Sequence, residues 1–202
     1  MRNDIFSGYK DADVYEALEP GGHKCIVKNV RQETSQKGKP MIVIYLDTAP
    51  EDKQPGFFMN RYLKNAQPDK KWPGTGKVYI TLKTEYTAAN IKRFCTAVND
   101  SNDGFFFDGE DEDQQDHFEE LMKDKKVGVV FRREMYSDPV SHEARASVKP
   151  FRFCKYDTAA DQPVPDAKGG TNESLAAKPE PQPDAFGFIP ADALEDEGLP
   201  FR

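Results

Sequence analysis

From Thr158 to the end of the chain, Pro163, Pro165, Pro179, Pro181, Pro183 and Pro190 alternate with Ala, Gly, Gln and acids, and no strand or helical period of useful length survives between them. Proline donates no amide to a ladder and fixes its own φ. A stretch this poor in apolar residues cannot offset an ordering cost of about 1–2 kcal/mol per residue for the backbone alone. The core must therefore come from residues 1–156, and 157–202 reads as a disordered, acidic, Pro-rich tail. A chain of 202 residues then holds one domain of roughly 100–150 residues and an appendage.

Charge divides at the same place. The formal net charge is −7, and from Asp157 onward ten acids stand against three bases, so the whole excess lies in the tail and the body is balanced. A balanced body still presents a basic face where cations cluster, and phosphate binding depends on that local clustering. Cys25, Cys95 and Cys154 are odd in number, widely separated and set in or beside apolar runs, which suits buried reduced thiols better than a disulfide framework. No apolar h-region follows Met1-Arg2-Asn3-Asp4, and the run Met41 to Leu46 is far too short to span a bilayer. The expected setting is cytoplasmic, with no membrane partner.

Residues 1–19 are mixed. Pro20-Gly21-Gly22 is a turn that launches a strand from His23 to Glu33, with Cys25 and Val27 on one face and Lys24, Ile26 and Lys28 on the other; Asn29 breaks the alternation as a bulge would. Lys37-Gly38-Lys39-Pro40 turns the chain into Met41–Thr48, a nearly all-apolar buried strand. Two strand-like segments follow, 57–64 and 77–83, joined by a polar connection, and either completes the sheet. Thr87 stands as an N-cap before Ile91, Phe94, Cys95 and Val98, one face of an amphipathic helix that Asn99 to Gly104 stops. Phe118, Leu121 and Met122 mark a second short helix. Val127–Tyr136 and Ala144–Tyr156 form a hairpin about Asp138-Pro139. The fold class expected is mainly β: a five-stranded OB-fold barrel with its helix between the third and fourth strands, followed by the tail.

Basic residues stand beside aromatics at several places: Arg61-Tyr62 with Lys64, Lys70-Lys71-Trp72, Phe131-Arg132-Arg133 with Tyr136, and Lys149, Phe151, Arg152, Phe153 and Lys155. Single-stranded nucleic acid needs both chemistries, cations for phosphates and ring faces for bases, with stacking worth roughly 1–3 kcal/mol per base. Alternation puts Phe131 on the core face with Val127 and Val129, and Phe151 and Phe153 inward as well, while Arg132 takes the open side and Arg133 the Phe131 side. Trp72 is either a ligand-facing ring or a lid on the barrel, and Tyr62 and Tyr79 are undecided between core and surface. The DNA-contact set is therefore Arg61, Tyr62, Lys64, Lys71, Trp72, Tyr79, Arg132, Arg133, Tyr136 and Arg152.

The acids Asp108, Glu110, Asp111, Glu112, Asp113 and Asp116 lack EF-hand spacing and read as a solvated loop capping the following helix, where the dipole favours them. His23, His117 and His142 are scattered without zinc-site spacing. Gly74-Thr75-Gly76-Lys77 lacks the Walker spacing, and there is no GxSxG elbow or recognisable carboxylate pair. Neither a cofactor, a metal nor a reaction is expected.

The chain end, Asp192, Glu195, Asp196, Glu197, Gly198, Leu199, Pro200, Phe201, resembles the interaction tip of bacterial and phage single-stranded-DNA-binding proteins. A tether offers one Phe to a shallow apolar pocket while the acids meet a basic rim; Arg202 after Phe201 departs from the bacterial pattern, in which the terminal Phe carboxylate takes part in docking. Ser101-Asn102-Asp103-Gly104 and Lys125-Lys126-Val127-Gly128-Val129-Val130-Phe131-Arg132-Arg133-Glu134, with the Pro20-Gly21-Gly22 turn, are similar to a phage family of OB-fold single-stranded-DNA-binding proteins of recombination and replication modules. That resemblance implies a phage or prophage origin, a role in protecting single strands or handing them over, and action in the host cytoplasm. The expected partners are single-stranded DNA and, through the tail, replication or recombination proteins; self-association is left open. The rival from another class is an acidic adaptor or DNA-mimic inhibitor, which predicts no DNA affinity; a nuclease would need clustered metal-binding acids.

Overall fold

The computed structural model describes residues 17–82, 85–137 and 144–169. The tail-tip residues Asp192 to Phe201 lie outside the described residues. Five antiparallel strands, β1 (Gly21–Thr34), β2 (Pro40–Thr48), β3 (Lys77–Thr81), β4 (Lys126–Ser137) and β5 (Ala144–Cys154), form one sheet in the order β3-β2-β1-β4-β5. Helix α1 (Phe57–Lys64) and a 3-10 turn (Gly74–Gly76) precede β3, and α2 (Glu85–Asn99), α3 (Glu112–Asp116) and α4 (Phe118–Met122) lie between β3 and β4.

β1 and β2 follow the apolar alternation. Cys25, Val27 and Val30 of β1 and Ile42, Ile44 and Leu46 of β2 are buried in one core with Val127, Val129 and Phe131 of β4, each large side chain stabilising by roughly 1.5–3 kcal/mol through burial. The bulge at Asn29 is present as a register shift between Val27 and Asn29. Gly38, at φ 69°, makes the hairpin turn in a conformation that other residues resist. In α2, Phe94, Cys95, Ala97 and Val98 face the core. The Ser101-Asn102 step ties its end to the sheet: Asn102 exchanges bonds with the Lys126 backbone in both directions, and the Ser101 hydroxyl accepts the Tyr156 amide. The acidic run is not all loop: Glu112–Asp116 is the short helix α3, with Asp111 as its N-cap accepting the Gln114 amide, and the expected helix, α4, follows His117 without a side-chain cap.

Five other expectations change. The strand-like segment 57–64 is a helix, and 77–81 completes the sheet against β2. The cause is non-local: Asp47 at the end of β2 accepts the amides of Phe58 and Met59, and the Thr48 hydroxyl accepts that of Phe57. These two side chains supply the N-terminal acceptors that the local cap, Gly56, lacks. Second, α2 begins at Glu85, so Thr87 lies inside it and is not its cap. Third, the sheet is open. Among the described residues no ladder joins its edges β3 and β5; β5 instead runs beside the Gly74–Gly76 turn leading into β3.

Fourth, Phe151 is exposed rather than inward. Val130 pairs with Arg152 and Phe131 with Pro150, so Phe151 is the extra residue of a bulge in β5 and loses its place in the alternation. Phe153, beyond the bulge, does pack on the core. Fifth, the folded unit runs past 156. Tyr156 and Ala159 are buried, and Ala159 sits so close over Gly22 that a Cβ there would stand 1.7 Å from the Ala159 carbonyl oxygen. The chain then reaches the edge of β4 beyond its last β1 partner, where Lys168 donates its amide to Arg133 and accepts that of Met135. Residues 157–169 are thus a strap on the sheet.

Candidate nucleic-acid interface

The register of β1, β2 and β3 assembles the site. Ile42, Ile44 and Leu46 point into the core, so Met41, Val43 and Tyr45 take the opposite, outer face. Antiparallel partners share a face, so three rungs follow: Asn29–Tyr45–Lys77, then Arg31–Val43–Tyr79, then Glu33–Met41–Thr81. Two tyrosines and two cations thereby meet on one outer surface.

The rings and cations touch one another. The Tyr45 ring lies under both the Arg31 guanidinium, at 6.0 Å, and the Lys77 ammonium, at 5.6 Å. Its hydroxyl donates to Glu33 at 3.1 Å, and burial together with that bond pushes the phenol above its ordinary value, so the ring stays uncharged at neutral pH. Tyr79 is 54% exposed, a large ring surface left facing water. Beyond it, Lys37 and Lys39 from the β1–β2 turn, with Thr81 and Asn90, line a shallow open depression.

One step along the ladder from Tyr45, the Leu46 carbonyl accepts the Trp72 indole N–H at 3.1 Å, fixing the ring at the β3 side of β2. Tyr62 from α1 packs on Trp72 with centroids 5.6 Å apart at 35°, and the Lys70 ammonium lies 4.7 Å over Tyr62. Trp72 packs on the core edge and keeps a partly exposed face beside Tyr62. Arg61 turns back over Phe57 at 5.8 Å, while Lys64 and Lys71 are exposed.

The remaining expected contacts fall on the β4–β5 hairpin. Arg132 pairs with Glu134 at 2.8 Å and stacks on Phe151 at 4.3 Å. Arg133 keeps the Phe131 side, because the bulge is in β5 and the alternation of β4 is unbroken. Tyr136 is exposed toward the hairpin end, and Arg152 donates to Gln162 of the strap at 2.9 Å. Of the ten expected residues, Tyr62 and Trp72 are in contact; Tyr79 belongs to the β1–β3 surface, and Arg132, Arg133, Tyr136 and Arg152 to the hairpin. Arg31, Tyr45, Lys77, Lys37 and Lys39, which share the surface of Tyr79, were not among the ten.

Carboxylates gather elsewhere. Those of α3 and α4 lie along the β1 edge that β4 leaves, where Glu119 accepts the Gln32 amide at 2.7 Å. Among the described residues no three His, Cys, Asp or Glu side chains are placed to hold a metal ion, and no helix is long and apolar enough to cross a membrane. No protein-family model matches the chain, and no curated protein is similar to it.

Proposed function

We propose that this chain is a non-enzymatic, phage-type single-stranded-DNA-binding protein. It holds the strand without strong sequence preference and recruits replication or recombination proteins through Leu199-Pro200-Phe201. The observation that carries the reading is the outer surface of β1, β2 and β3, where Tyr45 and Tyr79 lie among Arg31, Lys77, Lys37 and Lys39 with Glu33 as the acid in the three rungs. Ring faces take bases of any sequence and cations take the phosphates between them. The strand 2–3 surface is also where OB-folds bind oligonucleotides. Reading the sheet as an OB barrel is supported by β1 pairing with both β2 and β4, by the helices between β3 and β4, and by β5 returning to the turn that enters β3.

The test is a binding titration with a labelled oligonucleotide, single-stranded against duplex. Wild type should prefer the single strand. Tyr79→Ala should weaken that binding by about 1–3 kcal/mol, one stacked base. Equal affinity of wild type and variant, or a preference for duplex, would overturn this reading of the surface.

A further inference from the structure

A bulge that turns an aromatic side chain out of a core has to be explained, because burying that ring is the favourable course. Phe151 is such a residue: 46% exposed, between Pro150, which pairs toward the core with Phe131, and Arg152 on the outer face. One face of its ring carries the Arg132 guanidinium at 4.3 Å, which Glu134 holds at 2.8 Å. Lys149, the rung partner of Arg132, and Arg152 flank it on the same outer side.

We propose that Phe151 is a second stacking site for a base of the same single strand, so that the strand is held at two places on the outer face of the sheet. This rests on the reading of the β1–β3 surface as the first site. Two observations favour a nucleic-acid occupant. The ring is offered in an arrangement of guanidinium, ring and open face onto which a base adds as the next layer. Lys149 and Arg152 beside it are positive, matching phosphate rather than an apolar partner, and Glu134 is taken up by Arg132. The strap, with Ala159 over Gly22, lies between the two sites on the outer face, and a strand joining them crosses it beside Lys24 and Lys126, which both reach the Tyr156 ring.

The experiment uses the full chain with oligo(dT) of increasing length, comparing wild type, Phe151→Ser and Phe151→Tyr, with sizing of each free protein. For an oligonucleotide long enough to reach both sites, Phe151→Ser should lose about 5- to 150-fold in affinity, the value of one stacked base, and the nucleotides covered per protein should fall. Binding of an oligonucleotide that fills only the β1–β3 surface should stay within about twofold, and Phe151→Tyr should retain the long-strand affinity. Equal long-strand affinity of Phe151→Ser and wild type overturns the second site while leaving the first intact, as does a change confined to oligomeric state. Failure of wild type to bind any length overturns both.

Discussion

Asp47 and Asp52 flank the turn after β2, and burial acts on both, yet their titrations move in opposite directions. For Asp47, burial pushes the carboxyl above its ordinary value, and the amides of Met59, Phe58 and Thr48 only partly counter it. For Asp52, burial pushes the same way but is outweighed by His23 and the amides of Gln54 and Lys24, so its value lies below the ordinary one. The Asp52 side chain is 4% exposed; it meets His23 Nδ1 at 2.9 Å, while His23 Nε2 faces the Glu19 carbonyl at 2.9 Å. Because the folded value of Asp52 is depressed, its stabilisation is complete above the ordinary value and disappears as pH falls through the folded one. The raised value of Asp47 has the reverse sign, its contribution being present at low pH and lost as pH rises. Asp52→Asn should therefore cost about 1–3 kcal/mol near neutrality, the range for a charged acceptor removed from buried donors. The gap to wild type should narrow below about pH 4. Urea denaturation from pH 7 to 3 measures it, and a gap that stays constant to the acid end would show that the Asp52 charge carries no stability.

Among the elements, the strap was least legible and is most sharply testable. A proline-marked, acid-rich segment carries no strand signal, and its fit depends on a glycine far away in sequence: Ala159 occupies the space that a side chain at Gly22 would take. Gly22→Ala should cost about 1–3 kcal/mol by overpacking. Hydrogen exchange should show the Lys168 and Gln162 amides losing protection before those of the β1–β2 ladder; equal loss throughout would mean that the strap does not open as a unit. The same contrast of local and distant causes separates what sequence reasoning reached from what it missed. β1, β2, β4 and β5, the Asn29 bulge and the buried face of α2 all follow from neighbours along the chain. Helix α1 does not, since its cap comes from Asp47 and Thr48. Neither does Phe151, whose bulge shows only once Pro150 is paired with Phe131. The Arg31–Val43 and Asn29–Tyr45 pairs could have been counted back from the turn at Gly38, but placing Lys77 and Tyr79 beside them needed the β2–β3 register, which no turn sets.

At the scale of the whole molecule, opposite charges are kept on different parts of one chain. Residues 170–202 carry seven acids against two bases, while Arg31, Lys77, Lys37 and Lys39 surround the tyrosines of the outer face. A tethered polyanion competes with phosphate for the same cations whenever it comes within a Debye length, about 10 Å at 0.1 M salt and 3 Å at 1 M. A chain ending at Gly169 keeps the strap and should bind single-stranded DNA as tightly as the full chain or more tightly. The difference should be largest at low salt and fade as salt rises. For both chains log K should fall with log salt by about 0.7 for each phosphate neutralised, and Lys77→Gln should lower that slope by about 0.7. Titrations of the three proteins across a salt series decide this. Weaker binding by the chain ending at Gly169 would place DNA contacts within 170–202, and a slope indifferent to Lys77 would take the phosphates away from the β1–β3 surface.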